Sequence, residues 1–217
     1  MTGPRQEPAA RSTAEDAPSW RLVSTLAVAG ALAGLLIVGV FRWAEPRILE
    51  YRAGVLISAI DEVLGGPARV QTLYIRGDRL TEEPPPGDTI RAEKLYLGYD
   101  DSGRPMGYAI VGAKPGFQDI IQLIFGYDPG SREVLGMRVL ESKETPGLGD
   151  AIIKDRHFVA EFEGVRTPLR GVKDATGAAD EVDMITGATI SSRAIVDIIN
   201  HRLDALGTVI DGHGEVP

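Results

Sequence analysis

The chain has 217 residues, 43% hydrophobic and 25% charged, with 26 glycines, 14 prolines and no cysteine. That length suits one ordinary domain with additions. The missing cysteine excludes a disulfide scaffold, a thiol nucleophile, covalent c-type haem and any cysteine-ligated zinc or iron–sulfur centre. The formal net charge is −8, and the arginines up to Arg21 are balanced by Glu7, Glu15 and Asp16, so the acidic excess lies beyond Arg21. Such a body repels phosphate backbones, and nucleic acid is not an expected partner.

Residues 1–20 are rich in Pro, Ala and charge, show no periodicity and read as a disordered tail. Leu22–Phe41 then runs for 20 residues without a charge. As a helix it is roughly 30 Å long, the thickness of a bilayer's hydrocarbon core. Arg21 and Arg42 close the run, and Trp20 and Trp43 stand where interfacial aromatics belong, which predicts a transmembrane helix over 21–43 with lipid as its surroundings. A cleaved signal peptide fits less well: the apolar run is too long and no small-x-small site follows. Orientation is undecided by charge, since Arg5, Arg11 and Arg21 precede the span and Arg42, Arg47 and Arg52 follow it.

Pro46 is expected to open a second, amphipathic helix within a juxtamembrane segment, 44–66. Leu49, Ala53, Leu56, Ile60 and Val63 share one face of it, and Gly65-Gly66 ends it. The pattern then turns to strands. Val70–Ile75 is one, and Thr81–Asp88 is a proline-rich loop. Lys94–Tyr99 and Met106–Ala113 flank Asp101-Ser102-Gly103, and Ile120–Tyr127 and Val134–Leu140 flank Asp128-Pro129-Gly130; both pairs read as hairpins. Helices are expected over Asp150–Phe162 and Ile190–Leu206, the second with Ile195, Ile198, Ile199 and Leu203 on one face and Gly207 as its stop. Hairpins followed by helices define an α+β domain, here 67–217.

No triad, Walker loop, H-E-x-x-H or dinucleotide fingerprint is present, so no catalytic residue and no metal ligand is assigned. His157, His201 and His213 are scattered and read as structural or solvated, and Asp100-Asp101 and Asp180-Glu181-Asp183 as acidic turns. Two segments stand out. In Asp183-Met184-Ile185-Thr186-Gly187-Ala188-Thr189-Ile190-Ser191-Ser192, small residues lead into a helix whose first N–H groups and dipole suit a phosphate. A plain helix cap by Thr186 or Thr189 is the alternative. In Lys143-Glu144-Thr145-Pro146-Gly147-Leu148-Gly149, proline stops a strand, the glycines admit a flat ligand closely, and Leu148 offers an apolar face.

Together with the membrane helix and Gly116-Phe117-Gln118-Asp119, these segments resemble the FMN-binding domain family, in particular the G subunit of Rnf-type ion-translocating electron-transport complexes. The C subunit of the sodium-pumping NADH:quinone reductase is similar. The resemblance implies FMN joined by a phosphoester to Thr189 through a dedicated flavin transferase, making the chain both a flavoprotein and a phosphoprotein. It implies cofactor contacts from Asp183, Thr186, Gly187, Ala188, Ser192, Glu144, Thr145, Gly147 and Leu148. It also implies a cytoplasmic tail, a single pass through a bacterial inner membrane and an extracytoplasmic domain. The expected role is an electron-carrier subunit, not catalytic alone, working with other subunits of a translocase. Two alternatives remain: a flavin-bearing subunit of another membrane reductase, and a cofactor-free, membrane-anchored binding module.

Overall fold

The computed structural model describes residues 18–87 and 92–214. Most of the tail expected at 1–20, the end of the Thr81–Asp88 loop and the last three residues lie outside the described residues. The chain divides into two compact units, 1–51 and 52–217.

Helix α1 (Ser19–Leu64) supplies the first unit and the start of the second. By length and composition it can cross a membrane, and no other described helix can. Leu22, Leu26, Leu35, Leu36 and Phe41 are exposed on all sides of it, as lipid-facing residues are. The guanidinium of Arg21 lies 5.5 Å from the Trp20 ring and that of Arg47 4.9 Å from Trp43. Pro46 does not begin a new helix: it sits inside α1. Proline has no N–H to leave unpaired, so continuing through it sacrifices one bond. A restart would instead expose four N–H groups at a new terminus and require a new nucleus.

In the second unit, α1 ends at Gly65 and Gly66, whose φ of 72° and 78° suit glycine. There follow β1 (Arg69–Arg76), β2 (Arg79–Thr81), β3 (Lys94–Tyr99), β4 (Pro105–Pro115), β5 (Ile120–Asp128) and β6 (Glu133–Glu141). Helices α2 (Ala151–Lys154) and α3 (Arg156–Ala160) lead to β7 (Val165–Arg166), β8 (Arg170–Val172), β9 (Glu181–Asp183) and α4 (Thr189–Gly214). Seven strands form one antiparallel sheet in the order β2-β1-β3-β4-β5-β6-β7, with β8 and β9 as a separate parallel pair. Both expected hairpins are present as β3–β4 and β5–β6.

The sheet is covered on both faces, which explains why its strands read as apolar runs with little alternation. Tyr108, Ile110, Leu123 and Phe125 point to the α4 side, with Ile195, Ile198, Ile199 and Ile210 in the same cluster. Their neighbours Ala109 and Ile124 point the other way, to Ala59, Ile60, Val63 and Leu64 of α1. Two glycines let the helices approach the strands. A Cβ at Gly112 would meet Ile198 Cγ2 at 2.5 Å, and one at Gly126 would collide with the Val63 carbonyl oxygen.

Two further helix expectations are corrected. Asp150–Phe162 is not one helix, because Asp155 interrupts it and its carboxylate accepts from the His157 and Phe158 N–H groups, capping α3. Gly207 does not stop α4, because Leu206, Val209 and Ile210 carry the buried face onward. Burying them outweighs the cost of about 1 kcal/mol for a glycine inside a helix.

Candidate functional site

A cleft of about 280 Å³ is lined by Phe117, Glu144, Thr145, Leu148, Gly149, Gly187, Ala188, Thr189, Ile190 and Ser191. Three separate stretches of chain therefore meet there. Residues 116–119 are the turn between β4 and β5, 144–149 the loop after β6, and 187–191 the entrance of α4.

The α4 entrance is built by its glycine. Gly187 has φ 85°, and the turn it makes lets Ala188 N–H reach the Ile185 carbonyl at 3.0 Å. Ala188 is buried beneath, while Thr189 starts the helix on the surface. The first intrahelical bond runs from Ser192 N–H to the Ala188 carbonyl at 2.9 Å. Among the described residues, nothing pairs with the N–H groups of Thr189, Ile190 or Ser191, which leaves a set of donors at the positive end of a 26-residue helix.

The hydroxyls here differ sharply. The Thr189 hydroxyl is exposed and makes only a long 3.4 Å bond to the Ile185 carbonyl. Ser191 is 1% exposed and Ser192 fully buried. The Ser191 hydroxyl donates to Glu144 at 2.7 Å, and that of Ser192 to the Ala188 carbonyl at 3.0 Å. A second Thr-Gly-Ala occurs at Thr176-Gly177-Ala178, followed by Ala179 where the motif has Thr189; there the Thr176 N–H and hydroxyl both bond the Glu181 carboxylate at 2.7 Å.

Glu144 is buried, only 6% exposed. Its Oε1 accepts from the N–H groups of Gln118 (3.0 Å) and Asp119 (3.4 Å), and its Oε2 from Ser191. Burial pushes the carboxyl upward, but the Ser191 hydroxyl and the Gln118, Asp119 and Phe117 N–H groups together hold it below its ordinary range. The Thr145 hydroxyl donates to Gln118 Oε1 at 2.7 Å, tying the loop again to the 116–119 turn. Around the mouth stand exposed apolar groups: Phe117 (67%), Leu148 (55%) and Ile190 (56%).

Of the residues singled out in the sequence, Thr189, Gly187, Ala188, Glu144, Thr145 and Leu148 line the cleft. Gly147 does not; its φ of 80° makes the loop's turn, and its N–H donates to Asp150 Oδ1 at 2.7 Å. Thr186 and Ser192 also lie off the lining. Asp183 belongs to β9, where its N–H bonds the Glu161 carboxylate. Phe117, Gly149, Ile190 and Ser191 join the lining without having been singled out as contacts. The acidic turns have local partners: Asp100 takes Ser102 and Arg104, and Asp180 and Glu181 take Arg170.

Residues 116–204 match the family model of the FMN-binding domain, and all three walls of the cleft fall inside that span. The cleft thus lies within a segment similar to the FMN-binding domain. Over most of its length the chain is similar to proteins named as the G subunit of the ion-translocating oxidoreductase complex. The one from Methanosarcina acetivorans is 29% identical over 184 residues, 85% of this chain and 92% of that protein. The one from Pectobacterium atrosepticum is 28% identical, over 87% of this chain and 90% of that protein. The fold is shared with NqrC of Shewanella oneidensis (TM-score 0.53, 16% identity, 70% of this chain and 86% of that one). It is shared also with the C subunit of the Na(+)-translocating NADH-quinone reductase of Parabacteroides distasonis (TM-score 0.51, 19% identity, 66% of this chain and 77% of that one).

Proposed function

We propose that this chain is a single-pass, membrane-anchored electron-carrier subunit that holds FMN in the cleft through a phosphoester to the Thr189 hydroxyl. The domain match and the G-subunit relatives support a flavin-bearing electron-transfer subunit. The observation that carries the finer reading is that the one exposed, loosely bonded hydroxyl of the α4 entrance opens into the same cleft as the Glu144–Gly149 loop.

The residues fit the group. Unpaired N–H groups of Thr189, Ile190 and Ser191 suit a phosphodiester anion. Phe117, Leu148 and Ile190 suit an aromatic ring. The cleft volume, about 280 Å³, lies just below the range of ligand pockets, about 300 to 1,000 Å³, so part of a flavin would remain outside, within reach of a partner protein. Bound flavin supplies reversible one- and two-electron transfer; the protein's own part is to fix, orient and tune it. Glu144 is the one titratable side chain of the lining, and it is committed to Ser191. With no free base beside Thr189, attachment falls to a separate flavin transferase. On this reading the tail is cytoplasmic, the domain faces outward, and the partners are other redox subunits of a membrane translocase.

The test is Thr189→Val, which keeps the side chain's shape, expressed beside a flavin transferase. Wild-type protein should be yellow and fluoresce in a denaturing gel, and the variant should be folded and colourless. Mass spectrometry of the tryptic peptide Asp174–Arg193, which also contains Thr176, should locate FMN on Thr189. Flavin retained in the variant, or mapped to Thr186 or Thr176, overturns the assignment.

A further inference from the structure

A carboxylate is an expensive group to bury, and the fold goes to some length to bury Glu144. Three N–H and O–H donors of two distant segments converge on it. Two glycines stay bare to make room: a Cβ at Gly116 would meet Glu144 Oε1 at 2.5 Å, and one at Gly149 would collide with Oε2. A neutral glutamine could make the same number of bonds, its carbonyl taking the Gln118 and Asp119 N–H groups and its amide facing Ser191. Stapling the walls together therefore explains the bonds but not the charge.

The charge is also well aimed. Glu144 bonds the side chain of Ser191, not its N–H, so the donors at the head of α4 stay free. Cationic groups nearby are engaged elsewhere, Lys143 with Asp119 at 3.4 Å and Lys154 with Asp150 at 2.5 Å. The carboxylate remains the one formal charge among the side chains lining the cleft.

We propose that Glu144 is a potential-setting residue: a fixed negative charge in the cleft lining that lowers the reduction potential of the flavin held there. The inference rests on the flavin reading above. Each electron added to a ring beside Glu144 brings a like charge toward the carboxylate, and in a partly desolvated site that repulsion is weakly screened. An acceptor tuned downward in this way passes electrons on more readily.

The test is a redox titration of the flavin-loaded protein, with dithionite as electron source; it is oxidised to sulfite as the flavin is reduced, and buffer supplies any protons. In the flavin-bearing fraction of Glu144→Gln, counted by peptide mass, the oxidised-to-reduced ratio at a set potential should shift about tenfold toward reduced. That shift is 59 mV for a one-electron couple and about 30 mV for two. The charge swap Glu144→Gln with Ser191→Asp returns a carboxylate to the same pair and should restore the wild-type value. Ser191→Ala keeps the carboxylate but removes a donor, so the potential should hold or fall. This arm stands even if Glu144→Gln fails to fold. A loaded Glu144→Gln at wild-type potential overturns the proposal. So does a rise in Ser191→Ala, which would assign the effect to bonding and not to charge. Wild-type protein without flavin removes the flavin reading and this inference together, whereas flavin present with an unmoved potential removes only this one.

Discussion

Thr189, Ser191 and Ser192 stand within one helical turn, and chemistry alone would not choose among them. Their surroundings do: Ser191 faces a buried carboxylate, Ser192 back-bonds to the Ala188 carbonyl, and only Thr189 is open. Thr176 repeats the local sequence but spends its hydroxyl on Glu181, within its own loop. On the proposed reading, then, the acceptor is set apart both by what its neighbours are bonded to and by its place in the cleft, since Thr186 is exposed as well but lies off the lining. Leu148 offers the complementary case, an exposed apolar side chain over the same cleft. Leu148→Asp should leave flavin attachment intact, since the loop's turn is made by Gly147 and Asp150. It adds a negative charge and removes an apolar contact, so the flavin potential should fall and its absorption bands should shift. A variant with both unchanged would show that Leu148 does not meet the ring.

At the scale of elements, the helices reach the sheet through its glycines. Gly126 lies directly under Val63, where an added Cβ would run into the carbonyl oxygen. That oxygen belongs to helix backbone and cannot rotate aside, so Gly126→Ala must displace the end of α1. The expected cost is about 2 kcal/mol or more, read as a lower denaturant midpoint at unchanged slope; stability equal to wild type would mean that α1 packs loosely there. None of this closeness is visible in the sequence, whereas strands β3 to β6 are. Each lies between turn residues whose geometry is local, Asp101-Ser102-Gly103 and Asp128-Pro129-Gly130, and each carries a continuous β-forming run. The misread helix ends have one cause in common. Pro46 and Gly207 are breakers by intrinsic preference, and in both places the helical run on either side prevails. Asp155 errs in the other direction, since an apolar periodicity conceals a residue that caps better than it continues. The site divides in the same way. Its two motifs are contiguous and could be read directly, but Glu144 meets Gln118 across 26 positions and Ser191 across 47. A bond of that separation leaves no spacing pattern in a single sequence.

For the molecule as a whole, charge brackets the candidate membrane span but does not give the side on which the domain lies. The apolar run Leu22–Phe41 is the candidate crossing, and three arginines on either side give it no preferred direction. The acidic excess lies entirely in the part beyond Arg21, and acidic residues carry little weight in setting orientation. The proposed direction, tail inside and domain outside, follows from the resemblance to the Rnf-type G subunit and can be tested with a property of the composition. Because the chain has no cysteine, one introduced thiol is a unique label. Asp101 is exposed at the tip of the β3–β4 turn and its neighbour Asp100 makes that turn's bonds, so Asp101→Cys should not disturb the fold. In intact spheroplasts a membrane-impermeant maleimide should label Asp101→Cys and leave Ser12→Cys unlabelled until the membrane is permeabilised. The opposite pattern would put the domain in the cytoplasm. Labelling of both in sealed spheroplasts would mean that α1 does not span.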